Sequence, residues 1–278
     1  MKRQLEDEVS AHYHKAGLLD AIVDGLTASG ADPDAPTLED LAPVDEFHTA
    51  GRAATLMALD MAPELSGIHV LDAGCGIGGT ARYLAKEKGC QVTGIDLTAS
   101  FIEVATALSE RTGLAEACDF RTGSVLDMPF ENNSFDGAVS FHVAMNIADR
   151  GRFYSELARV LRPRAHVCVF DVMRGPEEGL EYPVPWAETE VSSFLKTPRE
   201  TIELFERAGF QVVRLESLRD FAIEFFRKAF AKAAQQDGPA PLGLHLLTGA
   251  NTADKFQNYA AGLDNGQIDP TVLVATRN

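Results

Sequence analysis

The 278-residue sequence has few cysteines, no long apolar segment and a shortage of basic residues. Its four cysteines, Cys75, Cys90, Cys118 and Cys168, lie far apart and never form a C-x-x-C pair. This excludes a dithiol redox motif and predicts buried thiols in a reducing compartment. No apolar run approaches the roughly 20 residues that cross a bilayer, and the first residues lack the apolar core of a signal peptide. We therefore expect a cytoplasmic protein with no membrane partner.

Basic residues number 25 against 41 acidic ones, which gives a formal net charge of −16. Such a surface repels nucleic acids, and no basic stripe in the sequence offsets it. The predicted partner is therefore a small molecule. The sequence does not decide the oligomeric state, for which a homodimer is one alternative. His12, Tyr13 and His14 resemble a metal cluster only superficially, because residues i and i+2 point apart on a helix. No metal site is predicted.

The most informative stretch is residues 69–79, HVLDAGCGIGG. A short apolar run ends in Asp72, a glycine-rich turn follows, and an amphipathic helix then begins. Glycines let the backbone approach a ligand, and the helix N-terminus attracts an anionic group. Gly74, Gly76 and Gly79 also fit the G-x-G-x-x-G pattern, so a dinucleotide is one candidate ligand.

Two carboxylates favour a different ligand. Asp72 stands at a strand end, where it can receive a cationic amine. The second strand ends in Asp96, 20 residues after Gly76, and an acid in that place suits a ribose diol. A ligand with a carboxylate, an ammonium group and a ribose is S-adenosylmethionine, which is the predicted cofactor. A nicotinamide dinucleotide is the alternative from another class.

Strand-like and helix-like segments alternate after residue 67, which predicts a Rossmann-like, doubly wound α/β sheet. The predicted strands cover 68–73, 91–96, 118–123, 135–141, 166–172, 211–216 and 271–276, and the helices cover 79–88, 99–112, 150–161 and 198–208. Ligands bind beyond the carboxyl ends of such strands. Asp72, Asp96, Ser124 and the pair Phe141 and His142 all fall at these ends.

We expect two divisions of the chain. Residues 1–66 are predicted to form a helical lid, with one helix within 9–26, a linker at 31–36 and a second helix at about 51–61. Residues 67–278 are predicted to form the main domain, with an insert at 174–196 and a helical annex at 219–266 that contains a helix over 221–236.

Several segments resemble the class I S-adenosylmethionine-dependent methyltransferases. Residues 70–79 resemble the first motif of that family, VTGIDL at 92–97 resembles its ribose motif, and 128–137 and 156–163 resemble segments near its strands four and five. The chain departs from the pattern at Arg164 and Ala165, where the family usually has two glycines, and at Ser124, where many members carry an acid. The resemblance implies seven strands with an antiparallel last strand.

Local features resemble a subgroup of that family. DEFHTAGR at 45–52, HVAMNIAD at 142–149 and YPVPWA at 182–187 are similar to bacterial sarcosine/dimethylglycine methyltransferases, which are in turn similar to prenylquinol C-methyltransferases. The preferred expectation is therefore methyl transfer to a small amine of the glycine, sarcosine or dimethylglycine type. The alternatives are C- or O-methylation of a phenol, quinol or natural product, a nicotinamide-dependent oxidoreductase, and a non-catalytic cofactor-binding protein.

The predicted site has two groups of residues. The expected cofactor-binding residues are Asp72, Gly74, Gly76, Asp96, Leu97, Ser124, Val125 and Phe141. The expected acceptor-binding residues are His142, Asn146, Tyr182, Trp186 and Arg52. His142 is the candidate catalytic base, because an imidazole can take a proton from an amine or a hydroxyl group.

Overall fold

The computed structural model describes residues 6, 12–13, 15–235, 238 and 240–278. Within them one sheet has the strands β1 (His69–Ala73), β2 (Gln91–Asp96), β3 (Cys118–Thr122), β4 (Phe135–Phe141), β5 (Leu161–Arg174), β6 (Phe210–Ser217) and β7 (Ile268–Arg277). The strand order is β3-β2-β1-β4-β5-β7-β6. The pairs among β1 to β5 are parallel, and β7 runs antiparallel to both β5 and β6. The predicted seven-stranded α/β fold with an antiparallel last strand is confirmed.

The main helices are α1 (Leu18–Ala28), α2 (Leu38–Asp45), α3 (Gly51–Asp60), α4 (Gly79–Lys88), α5 (Ala99–Arg111), α6 (Arg150–Val160), α7 (Pro198–Arg207), α8 (Arg219–Ala233), α9 (His245–Thr248) and α10 (Thr252–Asp264). Local sequence explains several of their starts. Thr37 and Asp40 form a capping box at the start of α2, and Thr197 and Glu200 do the same for α7. Each box satisfies backbone N–H groups that the first helical turn leaves free.

Some predicted bounds were wrong. Strand β5 begins at Leu161 rather than 166, because Leu161 already pairs with Phe135 across an irregular register. Arg164 lies in this stretch with φ of 68°, the left-handed conformation that favours glycine and that explains the usual glycine pair of the family. The predicted helix over 221–236 is α8, which ends at Ala233, and residue 236 lies outside the described residues.

The helices α2, α9 and α10 were not predicted. Helix α2 contains Pro43, and α9 has only four residues, so neither gives a long periodic pattern. The predicted helix within 9–26 is described only in part, since most of residues 7–14 lie outside the described residues. Within it, helix α1 begins at Leu18, after Gly17 with φ of 70°.

The described part of the predicted lid packs on the main domain. Leu18, Ile22 and Leu26 of α1 share a buried apolar cluster with Phe101 and Leu108 of α5. Each buried aliphatic or aromatic side chain of this kind contributes about 1.5–3 kcal/mol. The division of the chain at residue 66 stays a prediction. None of the described helices is long and apolar enough to cross a membrane.

Candidate active site

A cavity of about 700 Å³ opens at the carboxyl ends of β1, β2 and β4. Its lining falls into two parts. The polar wall consists of Asp72, Gly74, Gly76, Asp96 and Ser124, and the aromatic wall consists of Trp186, Phe194, Phe226, Phe256 and Tyr259. The polar wall belongs to the sheet edge, whereas the aromatic wall comes from the insert and from α8 and α10.

The glycine loop shapes the polar wall. Gly74 and Gly76 have φ of 85° and 53°, which side-chain-bearing residues rarely adopt. A Cβ on Gly74 would collide with the side chain of Val143. A Cβ on Gly76 would meet nothing within 4 Å, because Gly76 borders the open cavity. Glycine therefore lets the loop pack against the turn after β4 at one position and leaves ligand space at the other.

Asp96 links the glycine loop to the end of β2. Its Oδ2 accepts a hydrogen bond from the Gly76 N–H at 3.0 Å, and its Oδ1 accepts one from the Thr98 N–H at 2.8 Å. Burial raises the pKa of the Asp96 carboxyl, and these two backbone N–H groups counteract the rise. The carboxylate therefore stands fixed in the cavity wall, with lone pairs left for a ligand hydroxyl.

Asp72 is an incompletely satisfied carboxylate in the same wall. The residue is only 2% exposed, and its Oδ2 has no hydrogen-bond partner among the described residues. Burial, with a smaller effect from nearby Asp96, raises the pKa of Asp72 to about 7. A buried carboxylate oxygen without a partner is costly. A cationic amine in the cavity would satisfy it.

The structure places the remaining predicted cofactor residues around this wall. Leu97, Val125 and Phe141 line the cavity. Ser124 Oγ donates to Glu6 Oε1 at 2.5 Å and accepts from the Leu126 N–H at 3.1 Å. Sequence reasoning missed Glu6, which supplies an acid beside Ser124, where many class I methyltransferases carry one.

His142 lies directly after β4, with φ of 55°. Its Nε2 accepts a weak hydrogen bond from the Thr49 N–H at 3.4 Å. Asp171 holds the next turn, because its Oδ1 accepts from the N–H groups of Val143 at 2.8 Å and Ala144 at 3.2 Å. Burial, with a smaller effect from His48, holds the pKa of His142 well below its usual range. The imidazole is therefore neutral near pH 7 and keeps a lone pair.

Asn146 and Trp186 also line the cavity, and their polar atoms are committed to the protein. Asn146 Nδ2 donates to the Trp186 carbonyl at 2.8 Å, and its Oδ1 accepts from the Tyr13 hydroxyl at 2.9 Å. Trp186 Nε1 donates to Ser193 Oγ at 3.0 Å. Asn146 therefore joins the insert and the Tyr13 segment over the cavity.

Two predicted acceptor residues lie elsewhere. The Arg52 guanidinium pairs with Glu46 and lies 5.0 Å above the Tyr83 ring, so it does not line the cavity. Tyr182 packs on the outside of the cluster that contains Trp186 and does not line the cavity either. Both predictions rested on local similarity, which does not reveal the partner of a side chain.

Sequence reasoning also missed most of the aromatic wall. Phe226 comes from α8, whereas Phe256 and Tyr259 are three residues apart on α10 and so share one face. The Tyr259 hydroxyl is hydrogen-bonded to the Thr49 hydroxyl, next to His142. No lysine or arginine is among the described residues that line the cavity.

The described residues were also compared with the ligand sets that bind metal ions. Within the described ranges, no three His, Cys, Asp or Glu side chains lie together as metal ligands would, and His14 lies outside those ranges. The four cysteines are unpaired and buried. Burial raises the pKa of the Cys75 thiol well above its ordinary value, which disfavours the reactive thiolate.

Comparison with known proteins agrees with this geometry. Residues 71–169 match the model of a family described as a methyltransferase domain. The O-methyltransferase resE of Aspergillus sclerotiorum is 32% identical over 160 residues, covering 56% of this chain and 59% of that protein. Methyltransferase GfsG of Streptomyces halstedii is 29% identical over 221 residues, covering 77% of this chain and 76% of that protein. The chain thus spans less than two thirds of the fungal relative.

Solved structures show the same fold. The [4+2]-cyclase SpnF aligns with a TM-score of 0.67 and 22% identity, covering 94% of this chain and 92% of that chain. Residues 71–169 match the methyltransferase domain model, and the seven-stranded fold agrees with it, so the resemblance found in the sequence is confirmed for this part of the chain. The same fold occurs in a protein described as a cyclase, so the activity of this chain must be argued from the site.

Proposed function

We propose that this protein transfers the methyl group of S-adenosylmethionine to a hydroxyl group on a largely apolar acceptor. The observation that carries the proposal is the unpartnered oxygen of Asp72, which borders the same cavity as the Gly76 loop and Asp96. These groups stand within the matched methyltransferase domain.

The polar wall fits the cofactor group by group. Asp72 would hold the ammonium group, the N–H groups of the glycine loop would hold the carboxylate, and Asp96 would accept the ribose hydroxyls. Ser124 and Glu6 would meet the polar edge of the adenine, and Leu97 would pack on its face. When bound, the cofactor supplies a methyl group on a positively charged sulfur, which is the electrophile of the reaction.

The chain itself contributes alignment, water exclusion and a proton acceptor. The aromatic wall keeps water from the reacting atoms and orients an apolar acceptor. Neutral His142 can take the proton that leaves an acceptor hydroxyl. For this, the acceptor hydroxyl must replace the Thr49 N–H as the hydrogen-bond donor to His142 Nε2. Asp171 positions His142 by holding the turn that follows it.

The lining of the cavity argues against an amino-acid acceptor. Glycine, sarcosine and dimethylglycine each carry a carboxylate, which in a buried site needs a cation or several hydrogen-bond donors. The described lining residues include Glu6, Asp45, Asp72, Asp96 and Asp149 but no lysine or arginine. An acceptor without an anionic group suits these walls better, so the small-amine expectation is the second candidate.

Two measurements test the proposal. Calorimetry with S-adenosylhomocysteine and with NAD should show binding of the first only. A turnover assay should then compare para-ethylphenol with para-hydroxyphenylacetate, which differ mainly by a carboxylate. We expect methylation of the uncharged phenol and much less of the anionic one. Preferred turnover of sarcosine or dimethylglycine would contradict the proposed acceptor, and tight binding of NAD alone would contradict the proposed cofactor.

A further inference from the structure

A second, outer groove lies next to the aromatic wall, between α8 and α10. Its volume is about 240 Å³. Ile223 and Phe230 of α8 and Ala260 and Leu263 of α10 give it apolar sides, and Arg227 and Asp264 also line it. Phe230 is 40% exposed there, which is unusual for a large aromatic side chain. The groove therefore offers apolar surface that the described fold leaves uncovered.

Phe226 is the one side chain among the described residues that lines both the cavity and the outer groove. On the cavity side, its ring lies 5.2 Å from the Tyr259 ring and 6.0 Å from the Phe256 ring, measured between centroids. On the groove side, its ring lies 5.9 Å from the Phe230 ring. Phe226 is thus the side chain at which the cavity and the outer groove meet.

We propose that Phe226 sets the maximum length of the acceptor, and that the outer groove is the continuation of the acceptor site that this ring closes off. The inference rests on the proposed function, because it assigns the aromatic wall to the acceptor. The occupant that fits the groove is the distal, apolar part of an acceptor, since the groove has apolar sides and borders the cavity at Phe226. Removal of the ring would join the two spaces.

The test is a binding series rather than a turnover assay. Phenols with para-alkyl chains from ethyl to dodecyl are titrated calorimetrically into the protein saturated with S-adenosylhomocysteine. For the wild type, affinity should rise with chain length and then drop once the chain meets Phe226. In Phe226→Ala, the drop should move to longer chains, because each methylene that the groove buries raises affinity by about fourfold.

Three variants separate this proposal from a general loss of packing. Phe226→Leu keeps much of the buried volume and should move the limit less than Phe226→Ala. Phe226→Trp should move the limit to shorter chains. Phe230→Ala changes the groove alone and should leave the wild-type limit in place, yet lower the long-chain affinity when combined with Phe226→Ala.

An unchanged limit in all folded Phe226 variants would overturn the proposal. A limit that moves equally in Phe230→Ala would do so as well, because Phe226 would then not be the dividing side chain. Failure of S-adenosylhomocysteine to bind would instead contradict the proposed cofactor. In that case the same alkylphenol series, repeated on the protein alone, still decides whether Phe226 limits ligand length.

Discussion

The polar wall and the aromatic wall of the cavity are assembled in different ways. The polar wall uses strand ends and the turns that follow them, and several of its contacts involve backbone groups, such as the Gly76 N–H on Asp96. The aromatic wall uses side chains from the insert and from α8 and α10. A wall built on backbone geometry suits one constant ligand, whereas a wall of packed side chains can change with the acceptor.

The first way to test this contrast is to fill the space beside the glycine loop. Gly76→Val should abolish measurable binding of S-adenosylhomocysteine, a loss of at least about a hundredfold. The added side chain would occupy open cavity space, and φ of 53° is unfavourable for a β-branched residue. Calorimetry measures the affinity.

Gly89→Val is the matched control for that variant. Gly89 has φ of 67° and an equally open Cβ position, but it ends α4 and does not line the cavity. Similar backbone strain should therefore leave affinity unchanged. Equal losses in the two variants would mean that strain, rather than occupied ligand space, explains the effect.

His142 stands where the two walls meet. If it takes a proton from an acceptor hydroxyl, His142→Gln should lower kcat by about a hundredfold while cofactor affinity stays nearly intact. Because burial holds the pKa of His142 well below its usual range, the wild-type kcat at saturating cofactor should not fall between pH 8 and about pH 6. Steady-state kinetics across this range provides the measurement.

The control for His142 is His69→Gln, since His69 contacts Thr93 and does not line the cavity. It should keep the wild-type kcat. If His142→Gln also keeps the wild-type kcat and KM, the imidazole has a structural role only. A loss of acceptor affinity alone would favour a tertiary amine acceptor, which needs no base.

Asp96 tests a single side chain of the polar wall. Asp96→Ala should weaken binding of S-adenosylhomocysteine by about tenfold or more, because hydrogen bonds to a charged group contribute roughly 1.5–3 kcal/mol. The free energy of unfolding should also fall, since Gly76 and Thr98 lose an acceptor for their N–H groups. Asp119→Ala is the control, because Asp119 is an exposed residue of β3 that does not line the cavity. Unchanged affinity in Asp96→Ala would remove the ribose assignment.

Asp72 gives a smaller, pH-dependent effect. With its pKa raised to about 7, the carboxyl is increasingly neutral as the pH falls below 7, and it then attracts an ammonium group less. Affinity for S-adenosylhomocysteine should fall by up to about tenfold for each pH unit below 7. Asp72→Asn should bind more weakly and lose this pH dependence.

The same pKa has a consequence for stability. Between about pH 4 and pH 7, the folded protein binds a proton at Asp72 that the unfolded chain releases. The contribution of Asp72 to the free energy of unfolding therefore increases as pH falls through this window. Asp72→Asn should remove that slope and raise the stability of the ligand-free protein above pH 7. Thermal unfolding of both proteins at several pH values provides the measurement. If Asp72→Asn and the wild type show the same pH dependence of stability, the raised pKa of Asp72 is wrong.

The difference between the walls also explains what the sequence predicted. Strand ends, the glycine loop and Asp96 follow from local periodicity and turn chemistry, so the sheet and the polar wall were predictable. Phe226, Phe256 and Tyr259 lie more than 60 residues from the nearest predicted cofactor residue in the chain. Only tertiary packing brings them to the cavity, and an isolated apolar pattern cannot report it. Tertiary packing likewise decides that Tyr182 lies outside the cavity lining.

Arg52 provides the smallest expected effect on function. It also shows that a local sequence similarity does not tell which residue a side chain contacts. Its guanidinium neutralises Glu46, which is 1% exposed. Burial raises the pKa of the Glu46 carboxyl, but the contacts with His48, Arg52 and Thr55 outweigh burial and lower the pKa to about 2. Arg52→Gln should therefore lower the free energy of unfolding by about 1–3 kcal/mol. The loss stays limited because Glu46 keeps its hydrogen bonds with His48 and Thr55. Acceptor KM should stay within about twofold. Arg52→Lys should recover part of the stability. A large rise in KM for the folded Arg52→Gln variant would return Arg52 to the acceptor site and show that the cavity changes shape when it binds its ligands.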